Sequence, residues 1–298
     1  MVNFILIAIC IIAGMLFRAS KTLPADAHRG INAWIIYLAL PAVSFKYLPH
    51  IVWSRELLAP ILAPVIVWLG GWLLVTIYTK LKPADQPTKG SLRLMSGLAN
   101  TSFVGFPLIA AYLGEKYISI AIICDQITFL LLSTAGVVVA INASKKSALS
   151  AGIVLKRVLR FPPFLGCVGA LVLPHFIDIS VVDPLFDKLA TTVAPLALFS
   201  IGLQLQFKGW LSEFKNISVT LAYKLILAPA LVFGLFFCLG FKGVTPQVAI
   251  MEAAMPTLLT AGVVADEYDL NPKLSNLIIG IGIILSLLTT AGWYYITR

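Results

Sequence analysis

Long, almost unbroken apolar runs alternate with short polar joints from one end of the chain to the other. A helix needs about 20 apolar residues to cross the roughly 30 Å hydrocarbon core of a bilayer. Inside lipid each backbone N–H and C=O must be satisfied within the protein, which leaves helices or a closed barrel. These runs are too long and too continuously apolar for the alternating strands of a barrel. The pattern predicts ten membrane helices, near residues 3–19, 30–49, 57–80, 92–113, 117–141, 155–175, 184–207, 216–240, 245–265 and 273–296. The first is short; the fourth and ninth are the most polar and are interrupted by Pro and Gly. The first run lacks a charged leader region and a small-x-small cleavage site, so it reads as a membrane helix and not as a signal peptide. The joints leave no room for a soluble domain.

Composition agrees: 59% of the 298 residues are hydrophobic and only 12% are charged. Soluble domains carry about a quarter charged residues. The net charge of +9 is what Lys/Arg-rich cytoplasmic loops produce, and it does not indicate nucleic acid. The joints after the odd-numbered runs hold Arg18, Lys21, Arg29, Lys80, Lys82, Lys89, Arg93, Lys145, Lys146, Lys156, Arg157, Arg160, Lys208, Lys215 and Lys273. The opposite side holds only Arg55, Lys116, Lys188, Lys242 and Arg298. This bias predicts a multi-pass protein of the cell inner membrane with both termini on the non-cytoplasmic side. Cys10, Cys124, Cys167 and Cys238 lie in apolar runs without CxxC spacing, and His28, His50 and His175 form no ligand pattern. Neither a metal centre nor an organic cofactor is expected, and no nucleophile–base set suggests an enzyme.

The two halves resemble each other. Leu131-Leu132-Ser133-Thr134-Ala135-Gly136 pairs with Leu287-Leu288-Thr289-Thr290-Ala291-Gly292, Pro41 with Pro195, and Pro107 with Pro256. Three landmarks in one order, at offsets of 156, 154 and 149 residues, indicate duplication. An odd number of helices per repeat makes the halves inverted. The expected domains are therefore a first repeat at 1–141, a short cytoplasmic linker at 142–154 and a second repeat at 155–298.

Candidate chemistry gathers at the interrupted helices. A proline removes a donor and frees carbonyls one turn back. Paired breaks present half-helix ends and freed carbonyls to a substrate near the midplane. This selects Asn100, Thr101, Ser102 and Pro107 in the fourth run and Met255, Pro256 and Thr257 in the ninth. Prolines such as Pro64 and Pro229 read as ordinary kinks. Ionisable residues inside membrane helices are expensive and usually functional. Glu252 and Asp125, with its neighbour Gln126, are candidates for a coupling proton, or for Na⁺ held with Asn100 and Thr101. Lys224 reads either as a functional cation or as a side chain snorkelling to the cytoplasmic interface, and Lys46 as one snorkelling outward.

These residues resemble the auxin efflux carrier family, which includes plant auxin exporters and bacterial organic-acid permeases. The similarity rests on Gly30-Ile31-Asn32 with Leu40-Pro41-Ala42-Val43-Ser44-Phe45, and on Asn100-Thr101-Ser102-Phe103-Val104-Gly105-Phe106-Pro107. Phe199-Ser200-Ile201-Gly202-Leu203, and Ala253-Ala254-Met255-Pro256 with Glu267-Tyr268 and Pro272, extend it. The resemblance implies an all-α membrane fold of ten helices in two inverted five-helix repeats. Helices 1, 2, 6 and 7 would form a scaffold, and helices 3–5 and 8–10 a transport domain. Helices 4 and 9 would cross at Pro107 and Pro256, with Asn100 meeting a carboxylate. The joint Asn142–Gly152 is short, unlike the long loop of the plant exporters, which favours the permease branch. An acidic residue that plant exporters carry in helix 3 is missing, so any coupling role shifts to Asp125 or Glu252. The Glu before the ninth-helix break is also similar to the bile acid:sodium symporter family, which leaves H⁺ and Na⁺ coupling both open.

The function expected is secondary transport of a small organic anion, a mono- or dicarboxylate, by alternating access. A homodimer through the scaffold is compatible with this. The alternative is a sensor that binds without transporting, against which the sequence offers no output domain.

Overall fold

The computed structural model describes residues 2–51, 54–144, 152, 159–205 and 209–298. The described chain is helical throughout, with no strand beyond one isolated bridge between Ala99 and Thr257. The helices are α1 (Val2–Ala19), α2 (Ala27–His50), α3 (Arg55–Leu81), α4 (Gln86–Gly97), α5 (Thr101–Tyr112), α6 (Glu115–Ala143), α7 (Pro162–His175), α8 (Ser180–Gln204), α9 (Trp210–Cys238), α10 (Val244–Ala253), α11 (Leu259–Glu267) and α12 (Pro272–Thr297). Among the described residues seven of these, α1, α2, α3, α6, α8, α9 and α12, are long and apolar enough to span a membrane. The fourth and ninth predicted spans are each divided in two, as α4/α5 and α10/α11. Most of the predicted linker and the start of the predicted sixth span, residues 145–151 and 153–158, lie outside the described residues.

Proline shapes the long helices by widening them. Among the described residues are four π-turns, at Ile35–Ala39, Thr101–Gly105, Leu132–Gly136 and Tyr223–Leu227. Three of them run directly into Leu40-Pro41, Phe106-Pro107 and Ala228-Pro229. A proline ring clashes with the carbonyl four residues back and offers it no N–H, and a wider turn relieves both problems. The carbonyl that Pro229 leaves without a donor is that of Leu225. The Trp293 indole N–H takes the vacant place at 2.9 Å. Pro64 sits inside α3 without ending it.

The chain divides into two compact units that cut across its sequence halves. The first comprises Met1–Trp53, Ser102–Ile122 and Lys156–Leu205, and so holds α1, α2, most of α5, the start of α6, α7 and α8. Glycines set its closest packing. A Cβ at Gly14 would collide with the Phe199 carbonyl, and one at Gly202 with that of Ile11. Small residues at matched heights let membrane helices touch backbone to backbone, which replaces the hydrophobic drive that lipid removes. Arg18, in the last turn of α1, donates to the carbonyls of Leu203 and Leu205, both at 3.0 Å. It thereby satisfies groups that the end of α8 leaves open. Ser200 donates to Asn32 Oδ1 at 2.6 Å, and Phe45 stacks on Phe186 at 4.7 Å.

The second unit comprises Ser54–Thr101, Ile123–Leu155 and Gln206–Arg298. Its core joins Ala63, Val67, Cys124, Tyr223, Val232, Phe236, Ala249, Ile250 and Trp293. The Tyr223 hydroxyl donates to the Val67 carbonyl at 2.6 Å, tying α9 to α3. Gly97 admits the Trp68 ring, which a Cβ there would strike.

Candidate functional site

In the second unit two segments, buried along their whole length, leave helical geometry, Leu98–Asn100 after α4 and Ala254–Leu258 after α10. Each break strands backbone donors and acceptors in a dry interior, where they need partners. The two breaks supply each other. Ala99 and Thr257 form an antiparallel bridge. The Asn100 N–H donates to the Pro256 carbonyl at 2.7 Å and the Leu258 N–H to that of Leu98 at 3.1 Å. The Thr257 hydroxyl donates to the Met95 carbonyl at 2.8 Å, satisfying the last turn of α4. Pro256 therefore sits at its break, and its ring faces Gly282 on α12.

Pro107 differs from the sequence expectation. The break lies at Leu98–Asn100, and the π-turn Thr101–Gly105 absorbs the proline, leaving Pro107 inside the short helix that follows. Pro107 and Ser102 fall in the first unit, whereas Asn100, Thr101, Met255, Pro256 and Thr257 fall in the second.

Beside the breaks is a group of buried ionisable side chains. Glu252, one residue before the end of α10, is 1% exposed, and neither carboxyl oxygen has a hydrogen-bond partner among the described residues. It lines a cavity with Thr101, Cys124, Thr128 and the apolar residues Ala63, Pro64, Val67 and Ala249. That cavity offers about 10 Å³ to the centre of a water-sized sphere, room for about one water molecule. The Thr101 hydroxyl donates to Asp125 Oδ1 at 2.6 Å, so Asp125 joins the wall through Thr101. Lys224 is fully buried, and its ammonium donates to the Ala253 carbonyl at 2.9 Å. The snorkelling reading of Lys224 is thereby corrected: the π-turn of α9 turns the side chain inward, onto the C-terminal end of α10. The charges of Asp125 and Lys224 both act on Glu252. Gln126, expected in this group, does not line the cavity, and its carbonyl oxygen is buried without a partner among the described residues. Cys124 and Thr128 line the wall without having been singled out by sequence. The helical spacing from Cys124 to Thr128 was the available signal. Among the described residues no three of His, Cys, Asp and Glu gather as a metal site.

The first unit holds a larger cavity of about 270 Å³ by the same measure. Its walls are mainly apolar, from Leu6, Ile7, Val43, Phe106, Ala194 and Leu198, with Pro107 among them. Polar groups of the lining are Asn3, Lys46, Tyr47, Glu115 and Thr191. Lys46 does not simply reach outward. It pairs with Asp187 at 3.2 Å, its own side chain 20% exposed against 58% for the acid. The Tyr47 hydroxyl donates to Glu115 Oε2 at 3.4 Å, and the Asn3 amide to the Ala110 carbonyl at 3.3 Å.

Comparison with known proteins bears on these features. The family described as membrane transport protein matches residues 2–294. An uncharacterized transporter of Methanothermobacter thermautotrophicus is 24% identical over 96% of this chain and 95% of its own. A Rhizobium meliloti protein provisionally named for malonate transport is 25% identical over 92% of this chain and 88% of its own. Auxin efflux carrier component 8 of Arabidopsis thaliana is 29% identical over 42% of this chain and 33% of its own. A helical chain with seven membrane-length helices among its described residues, matched almost end to end, is a multi-pass membrane transport protein and not an enzyme, and it belongs to the membrane transport protein family that includes the auxin efflux carriers.

Proposed function

We propose that this protein is a secondary transporter of a small organic anion, working by alternating access and coupled to a monovalent cation at Glu252. The observation that carries the reading is the pair of backbone breaks strapped to each other beside that buried carboxyl group. Broken helices in membrane transporters expose backbone groups where substrate and coupling ion meet. In this reading the chain forms ten helices as two inverted repeats, with helices 3–5 and 8–10 moving against helices 1, 2, 6 and 7. It lies in the inner membrane with both termini outside. Asn100, Thr101, Ser102, Pro107, Met255, Pro256 and Thr257 meet the substrate over the transport cycle. Asp125, Gln126 and Glu252 serve the coupling ion. The Lys46 ammonium on a mainly apolar cavity supports a carboxylate with a compact body. The name of the Rhizobium relative makes malonate the first probe.

The test is counterflow in proteoliposomes with labelled malonate and a panel of other mono- and dicarboxylates, with and without Na⁺, at two pH values. Flux of at least one acid that falls tenfold or more in Asn100→Ala is expected. Carboxylate binding without flux would point instead to a sensor. Neither binding nor flux for any acid would remove the reading.

A further inference from the structure

We infer that Glu252, Asp125 and Lys224 form a site for a single proton, in which Lys224 cancels one of two acid charges and so limits the site to one proton. The inference deepens the reading above by naming the coupling ion and its number. The proton count stands on the second unit alone.

Three observations lead there. The first is a mismatch in hydrogen bonding. Glu252 is 1% exposed with both oxygens unpartnered among the described residues, and an ionised carboxylate in that state requires a positive charge of its own to balance it. Asp125 instead receives the Thr101 hydroxyl at 2.6 Å, a donor that stabilises a carboxylate charge and that Glu252 lacks. Of the two acids, then, Asp125 carries the charge and Glu252 the proton.

The second observation is the position of Lys224. Its ammonium lies at the C-terminal end of α10, on the Ala253 carbonyl at 2.9 Å, where the helix dipole favours positive charge. The charged or titratable groups acting on Glu252 are Asp125 on α6 and Lys224 on α9, with Cys124 of α6 beside them. The neighbouring wall positions on α3 are Ala63, Pro64 and Val67, and the one on α4 is Gly97. None of these titrates. Two acids and one base are neutral with one proton, whereas neither zero nor two protons balances them.

The third observation separates a proton from a metal cation. A hard cation requires a cage of several oxygens. Apart from the Glu252 carboxyl, the side-chain oxygens of this lining are the Thr101 and Thr128 hydroxyls. Both donate, to Asp125 and to the Cys124 carbonyl at 2.8 Å, which leaves their lone pairs free, but two hydroxyls and one carboxyl group are fewer side-chain oxygens than a cage requires. The rest of the wall is largely hydrocarbon.

The experiment is infrared difference spectroscopy of the full chain in nanodiscs at neutral pH, counting protonated buried carboxyl groups from their C=O stretch. Wild type is expected to show one, absent in Glu252→Gln. Lys224→Met removes the balancing charge and is expected to double the signal, as Asp125 also takes a proton. Asp125→Asn leaves one acid against one base, and its Glu252 signal is expected to vanish although Glu252 is still present. Lys224→Arg keeps the charge and is expected to keep a single signal, which separates a charge effect from disturbed packing. If Lys224→Met does not fold, Asp125→Asn and Lys224→Arg decide alone. No wild-type signal, a persistent signal in Asp125→Asn, or loss of the wild-type signal on replacing choline with Na⁺ would overturn the proposal. Because no flux is measured, the count fails or survives independently of transport. Malonate counterflow with a count that Lys224→Met and Asp125→Asn leave unchanged would sink only the proton site. The expected count without flux of any carboxylate would sink only the transporter reading.

Discussion

The first unit places the ionisable groups of its cavity where partners or water reach them, and the second encloses those of its own. In the first, the Lys46 ammonium is 20% exposed and paired with a more exposed Asp187, beside a cavity of about 270 Å³. In the second, Glu252 and Lys224 are 1% and 0% exposed, beside a space of about 10 Å³. The packing follows the same division. The first unit draws α1 and α8 together through glycines and hydrocarbon, with Arg18 closing the end of the contact. The second ties its interrupted segments through backbone hydrogen bonds and indole and phenol donors. One arrangement suits a molecule with a body; the other suits a charge with almost no volume.

The sharpest way to break this contrast is to open the glycine contact. Gly202→Leu places a branched side chain against the Ile11 carbonyl and the Gly14 backbone, with no flexible side chain there to give way. The overpacking is expected to cost about 3 kcal/mol, read as a lower melting temperature in detergent. The comparison further requires that the Glu252 infrared signal of the surviving folded fraction be unchanged. The next test fills the larger cavity. Ala194→Phe occupies its apolar wall without altering charge. It is expected to reduce carboxylate counterflow at least tenfold while the melting temperature stays within the range of a tolerated surface change.

Much of this arrangement was legible from residue order, and the failures have physical causes. The apolar runs located the seven membrane-length helices of the described residues because each is continuous in sequence. Pro256 lies inside the break it marked, which runs from Ala254 to Leu258. Pro107 marked a bulge instead, because a π-turn accommodates a proline without interrupting the helix. The break beside it falls at Leu98–Asn100, where the partner strand supplies the hydrogen bonds. That partner lies more than 150 residues away in sequence, beyond any local pattern. Lys224 was undecidable for the same reason: whether a lysine snorkels or turns inward depends on an acceptor, here the Ala253 carbonyl. The larger cavity was invisible, since its walls come from residues as far apart as Asn3 and Leu198.

A smaller effect is expected where the second unit is strapped. Thr257→Val keeps the shape of the side chain and removes its hydroxyl bond to the Met95 carbonyl. Hydrogen bonds of this kind in membrane proteins contribute roughly 0.6 kcal/mol on average, with an upper range near 1.7. A loss of about 1 kcal/mol on unfolding is expected, with the paired backbone bonds still in place. A loss several times larger would mean that the hydroxyl holds the whole strap.

The smallest effect is expected at Lys46, where the contrast can be tested in the other direction. If the first unit tolerates ionisable groups because water and partners are close, removing the exposed acid should matter little. Asp187→Asn leaves the Lys46 ammonium partly exposed and beside the Tyr47 ring at 5.1 Å. Pairs of this exposure contribute roughly 0–1 kcal/mol, so the melting temperature is expected to change little. Carboxylate affinity carries the information. An ammonium released from Asp187 has one competing anion fewer, so binding to the cavity is expected to tighten by a few fold at low salt and return to wild type at high salt. Weaker binding in Asp187→Asn would mean that the acid positions Lys46 for its ligand, and the two units would then differ less than their exposures suggest.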